Sequence, residues 1–192
     1  MTVKRYAALL RGINVGGGVK AKKVPMARLR SLIESLGHTG VRTYLQSGNA
    51  AFTARVTDDD VLAREIEAAI AAEFGFTVEV VVRDHAYLTA VRDNCPFPAA
   101  ELEGKQLHVT YFSEPVTPER FAAVDPAAYA PEDFRLGDRA LYLYAPTGLG
   151  TSKLGARLSS AALNRGLIAT SRNWNTVEKL VELTAPEVTA SQ

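Results

Sequence analysis

The chain opens on a short apolar run, Tyr6-Ala7-Ala8-Leu9-Leu10, that ends at Arg11 and predicts a strand over residues 3–11. The period then changes. In "PMARLRSLIESLG" the apolar residues Met26, Leu29, Leu32, Ile33 and Leu36 recur at helical spacing, with Pro25 suited to a first turn and Gly37 to a stop. "VRTYL" and "NAAFT" read as two short strands around "QSG", a hairpin signal. "TDDDVLAREIEAAIAAEFG" predicts a second helix: its aspartates sit where the helix dipole favours negative charge, and Leu62, Ile66, Ala69 and Ile70 form its stripe. "TVEVVVRD" completes the set as a fourth strand. The order strand, helix, strand, strand, helix, strand is that of the split βαβ, or ferredoxin-like, unit.

A linker helix over about residues 84–94 and the Pro-rich "CPFPAAELEG" follow, and then the order repeats. "QLHVTYF" is a strand, "TPERFAAV" a helix, "DFRLG" and "ALYLYA" a hairpin, "TSKLGARLSSAAL" a helix and residues 167–170 a strand. A last helix, "NWNTVEKLVEL", is additional. The expected fold is therefore α+β, two ferredoxin-like units in tandem with an extra C-terminal helix: a first unit at 1–84, a linker at 85–105, and a second unit with the extra helix at 106–192. The halves share a pattern, not an obvious identity.

Composition changes little. A chain of 192 residues with a net charge of +1 is an ordinary globular protein, not a general polyanion binder. The charge is uneven, however. Residues 1–33 carry Lys4, Arg5, Arg11, Lys20, Lys22, Lys23, Arg28 and Arg30 and no acid, so a local basic face is expected. Cys95 is the single cysteine, which excludes an intrachain disulfide and suits a reducing cytoplasm. His38, His85 and His108 lack metal-ligand spacing, and no cofactor is implied. No apolar run approaches a membrane span, and "YAALL" is too short for a signal peptide. A monomer is plausible on this reading.

The candidate chemistry lies in "LLRGINVGGGVKAKKVP". In the expected topology this loop and the "QSGN" turn share one end of the first sheet, which gathers Arg11, Asn14, Tyr44, Gln46, Ser47 and Asn49 beside the amides of Gly12, Gly16 and Gly17 and the charge of Lys20. Glycine lets backbone N–H groups approach an anion, so the loop is either a phosphate or carboxylate cradle or a mobile turn whose lysines only solvate it. Known phosphate patterns do not fit. Gly12 and Gly17 are followed by Gly18 where a Walker loop needs lysine. Gly16, Gly18 and Ala21 match G-x-G-x-x-A, but Lys22, Lys23 and Val24 separate them from the helix, and no acid follows at the ribose-binding distance.

"LRGINVGG", "MARLRSLIESLG", "VRTYLQSGNAAF" and "TSRNWNTVEKL" resemble, in this order and over nearly the whole chain, the hallmark segments of the domain of unknown function (DUF) 1697 family. The resemblance implies the tandem ferredoxin-like architecture and no particular reaction. It marks Arg11, Gly12, Asn14, Gly16, Gly17, Tyr44, Gln46, Ser47, Gly48, Asn49, Arg172, Asn173, Trp174 and Thr176. Similar proteins tend to carry Asn-Pro-Phe where this chain has Asn94-Cys95-Pro96-Phe97, which weakens a special role for that turn.

Two further features call for placement. In "TSRNWNTVEKL" either Asn173 or Asn175 can cap the helix, with Arg172 at its anion-attracting end. Trp174 is either core, with Val177, Leu180 and Val181, or a stacking surface. On the second sheet, Tyr142 and Tyr144 alternate with Leu141 and Leu143. If the leucines face the helices, the tyrosines take the other face together with His108, Thr110 and Phe112, either to stack bases or to pack. The functional expectation is binding of a phosphate-bearing ligand, nucleotide or nucleic acid. The alternatives are an enzyme whose chemistry rests on Arg11, Tyr44, Ser47 or Asn49, and an interaction module without a small ligand.

Overall fold

The computed structural model describes residues 2–17 and 21–186. The chain divides into two compact units. One takes residues up to Leu88 together with the chain from Leu180 on; the other takes Thr89–Lys179.

The first unit contains β1 (Val3–Leu10), α1 (Met26–Ser35), β2 (Thr39–Tyr44), β3 (Asn49–Arg55), α2 (Asp59–Phe74) and β4 (Val80–Asp84). The strands form one antiparallel sheet in the order β2-β3-β1-β4. Pairing of Tyr6 with Phe52 and of Ala8 with Ala50 sets one face of the sheet. That face packs against Leu29, Leu32 and Ile33 of α1 and Leu62, Ile66 and Ile70 of α2. The ends of α2 follow from its sequence. The Asp58 carboxylate accepts from the Asp60 amide at 2.8 Å, Asp59 and Asp60 occupy the first turn, and Gly75 closes the helix in the left-handed conformation at φ 75°.

The second unit begins within α3 (His85–Asp93) and contains β5 (Leu107–Phe112), β6 (Asp133–Gly137), β7 (Ala140–Tyr144), α4 (Lys153–Leu158) and β8 (Ala169–Asn173). Its sheet is also antiparallel, in the order β6-β7-β5-β8. Phe112, Leu141 and Leu143 pack with Leu154 and Leu158 of α4 and with Phe121. The division between the units falls a second time within α5 (Trp174–Thr184). The molecule is an α+β protein.

Three expectations for the second unit need correction. "TPERFAAV" is not an α-helix: it holds one 3-10 turn, Pro118–Phe121, and a second, Pro126–Tyr129, follows it. Pro118 starts the first turn, and Pro126 bars the helical region to the residue before it, so no long helix fits between them. The Asp125 carboxylate then caps the second turn through the Ala127 amide at 3.0 Å. The helix expected over "TSKLGARLSSAAL" ends at Leu158, where the Asn164 side-chain amide donates to the carbonyls of Leu158 and Ser160 at 2.8 and 3.0 Å and takes over helix-end acceptors. The strand expected at 167–170 runs instead over Ala169–Asn173.

One local device occurs in both units. Arg83 is the penultimate residue of β4, and Arg172 the penultimate residue of β8. Both are buried, and each donates to the carbonyl of the residue before it, Val82 at 2.6 Å and Ser171 at 2.8 Å. The next residue caps the following helix in each case. Asp84 accepts from the Tyr87 amide at 2.9 Å, and Asn173 from the Thr176 amide at 3.0 Å.

Candidate functional site

The glycine loop and the hairpin turn meet at one end of the first sheet. The Leu10 amide donates to the Gly48 carbonyl at 2.9 Å, and the Arg11 amide donates to Glu79 at 2.9 Å, which extends the β1–β4 ladder by one residue. Asn14 closes the structure. Its amide donates to the Lys22 carbonyl, its Oδ1 accepts from the Val24 amide at 2.9 Å, and its Nδ2 donates to the carbonyls of Val24 and Gln46 at 2.9 and 2.8 Å. Asn14 thereby ties both ends of its own loop to the "QSG" turn. Gly48 is required beneath it: at φ 88°, a Cβ there would lie 2.6 Å from Ile13 Cδ1 and 2.9 Å from Leu10 Cβ.

Above that clip the backbone alternates in hand. The φ angle is positive at Gly12 (66°), Asn14 (54°) and Gly16 (73°), and not at Arg11, Ile13, Val15 or Gly17. Alternation of this kind turns successive N–H groups toward one side, the geometry of an anion nest. The amides of Gly12, Val15, Gly16 and Gly17 lie at the surface and donate to no acceptor among the described residues. Lys20 lies outside the described residues.

The side chains around the loop divide into two groups. Asn49 is fully buried and donates to the Tyr44 carbonyl at 2.8 Å and to Ser47 Oγ at 3.3 Å, so it shapes the turn from within. Tyr44 is half-buried, while Gln46 and Ser47 are exposed. Arg11 is half-exposed and forms an ion pair with Glu79 at 2.5 Å. Glu79 precedes β4 and competes with any anion for the guanidinium. Leu45, expected to end the strand "VRTYL", lies instead in the turn after β2. It is 52% exposed and holds φ 59°, a left-handed conformation that costs a branched residue about 1–2 kcal/mol. Val15, 63% exposed, follows Asn14, and Leu45 precedes Gln46, the two residues whose hydrogen bond joins the loops.

The second constellation does not reach the surface. Trp174 is 5% exposed and its Nε1 donates to Glu178 at 3.2 Å. Asn173 is the cap. Arg172 is buried, bonds Thr170 Oγ1 at 2.8 Å, and burial pulls its pKa down to about 10. The tyrosine face also needs correction. The β5–β7 register sets Thr110 opposite Leu141 and His108 opposite Leu143, so His108, Thr110 and Phe112 share the leucine face. Tyr142 lies with Val109 and Tyr111, is 3% exposed, and donates its hydroxyl to the Val91 carbonyl at 2.6 Å. Its ring is packed and offers no stacking platform.

A cleft of about 420 Å³ escaped the sequence reading altogether. It lies at the start of β1 and the end of β4, away from the glycine loop. Val3, Lys4, Asp84, His85, Ala86 and Thr184 line it. These residues are scattered along the chain, and no local motif marks them. Among the described residues no group of three His, Cys, Asp or Glu side chains could hold a metal ion, and no helix is long and apolar enough to cross a membrane.

Two four-stranded antiparallel sheets, a clipped glycine loop over the first and paired Arg-Asp and Arg-Asn helix starts describe an α+β protein, and most of its length matches one family. The chain belongs to that family, described as "Protein of unknown function (DUF1697)", which matches residues 3–142. Among solved structures it is similar to the conserved bacterial protein SP0830 from Streptococcus pneumoniae. The TM-score is 0.72 and the identity 23%, over 96% of this chain and all of that one. That likeness speaks to the fold. No curated protein matches the chain.

Proposed function

We propose that this is a cytoplasmic protein that binds the phosphate of a nucleotide or nucleic acid at the loop of residues 11–17. The observation that carries the reading is the alternating φ sign at Gly12, Asn14 and Gly16, with surface amides that donate to no acceptor among the described residues. Val15 and Leu45 favour a ligand larger than bare phosphate, because they set an apolar ledge beside the amides. Arg11 is the charge partner, shared with Glu79. The common strand order and the repeated helix-start device support reading the two units as copies of the ferredoxin-like split βαβ unit. In that reading α3 and α5 are equivalent extensions, not a linker and an extra helix.

The test is a titration with inorganic phosphate and with adenosine monophosphate, followed at the amides of Gly12, Val15, Gly16 and Gly17. Both should shift these signals, the nucleotide at lower concentration. Glu79→Gln releases Arg11 and should tighten binding, whereas Arg11→Ala should weaken it by about tenfold, the equivalent of one charge-assisted hydrogen bond. If both ligands leave these amides unmoved in wild-type protein and in Glu79→Gln, the loop is a turn and the reading fails.

A further inference from the structure

We infer that the cleft at the start of β1 is a second binding site, and that it takes a small amphipathic monocarboxylate. Its volume, about 420 Å³, falls within the range of about 300–1,000 Å³ typical of small-molecule sites. It belongs wholly to the first unit: β1 supplies Val3 and Lys4, the junction of β4 and α3 supplies Asp84, His85 and Ala86, and the end of α5 supplies Thr184.

The polar groups in it are oriented by bonds to one another and to backbone groups beside the cleft. Asp84 accepts from Lys4 Nζ at 2.9 Å through one oxygen and from the Tyr87 amide at 2.9 Å through the other. The carboxylate thus has its strongest acceptor positions committed and holds the ammonium in place. That contact uses one of three N–H donors on Lys4, whose side chain is 48% exposed, so the ammonium can serve a ligand oxygen as well. The Thr184 hydroxyl donates to the Leu180 carbonyl at 2.7 Å, so the 3.0 Å contact with His85 has Nδ1–H as donor, which fixes the ring against the wall. Lys4 and Arg5 stand against the single carboxylate of Asp84 among the lining residues, a balance that selects an anion. Val3 and Ala86 supply apolar wall, which selects a hydrocarbon body over a compact ion. A carboxylate suits the lone ammonium, which acts as a point charge.

Three probes test this: hexanoate, 1-hexanol with the same chain length, and acetate with the same charge, titrated into the intact protein and read at the amides of Val3, Ala86 and Thr184. Hexanoate should give saturable shifts, with 1-hexanol and acetate each weaker by about tenfold or more, since each lacks one of the two recognition elements. Ala86→Trp fills the cleft from an exposed position and should abolish the response. Lys4→Met, at a half-exposed side chain that leaves the fold intact, should reduce hexanoate to the level of 1-hexanol. Equal responses to 1-hexanol and hexanoate overturn the carboxylate assignment. Absence of saturation, or shifts indifferent to both variants, overturns the site.

Discussion

The two sheets have the same strand order but are covered and ended differently. Over the first lie two full helices, and the strand leaving its centre continues into a glycine loop with bare amides. Over the second, the equivalent connection after β5 is folded down by two proline-led 3-10 turns. Arg120 there donates to the Leu163 and Arg165 carbonyls at 2.9 and 3.1 Å, and Glu132 accepts from Ser152 Oγ and the Leu154 amide at 2.7 and 2.8 Å. The first connection leaves backbone amides of its own at the surface, whereas the second lends side chains to the chain at and after α4. Strand order alone does not make a site; the loops over it do.

The largest effect that distinguishes the units should come from their cores. Phe52 is fully buried between sheet and helices, and Phe52→Ala should cost about 3–5 kcal/mol. Phe121 sits on a 3-10 turn that can settle into the space, so Phe121→Ala should fall at or below the low end of that range. Hydrogen exchange at β3 and β7 reads each unit separately. Equal losses would end the contrast between a helix-covered and a turn-covered sheet.

A sharper comparison uses two glycines with the same φ of 88°. Alanine at Gly148 meets only the Lys105 carbonyl, at 3.7 Å, and should cost no more than the left-handed strain of about 1–2 kcal/mol. Alanine at Gly48 collides with Ile13 and Leu10 and should cost about 1–3 kcal/mol more. The same melt should show the glycine-loop amides broadened in Gly48→Ala alone. If the two variants are equally stable, the clip does not hold the loop.

Leu45→Gly should go the other way. Relief of the left-handed strain stabilises the hairpin by about 1 kcal/mol, and loss of the apolar ledge weakens nucleotide binding without changing the response to bare phosphate. The smallest effect at neutral pH concerns His108. Burial lowers its pKa, and its Nδ1 has no hydrogen-bond partner among the described residues. The unfolded chain takes up a proton near pH 6.5, before the folded one does, so the second unit should lose stability as pH falls below that value. His108→Gln should flatten this slope in a pH series of urea melts.

The elements with strong periodicity were legible. The stripes of α1 and α2, the "QSG" hairpin and the meeting of that hairpin with the glycine loop all follow from spacing and topology. The misreadings have separate causes. In "TPERFAAV" an apolar pattern outvoted the two prolines that frame it. His108, Thr110 and Phe112 were assigned to the tyrosine face because strand pairing offset is not written in either strand, and an offset of one residue exchanges the faces. The Arg11–Glu79 pair and the cleft around Lys4 and Asp84 join positions more than sixty residues apart, where no local signal exists. The shared Arg-Asp and Arg-Asn helix starts were visible as letters, but they became a repeat only once both arginines and both caps were seen to make the same bonds.

The division within α3 and α5 bears on how the protein is made. A chain emerging from the ribosome delivers β1 through β4 first, yet the unit they form also takes in the stretch from Leu180 on. Arg5 in β1 donates to the Leu183 carbonyl at 2.7 Å, a partner 178 residues further along the chain. The half that begins first is therefore completed last, and the second unit matures inside the interval. Expressing the first half alone removes a part of its own fold, so a cut between the halves leaves the first unit incomplete.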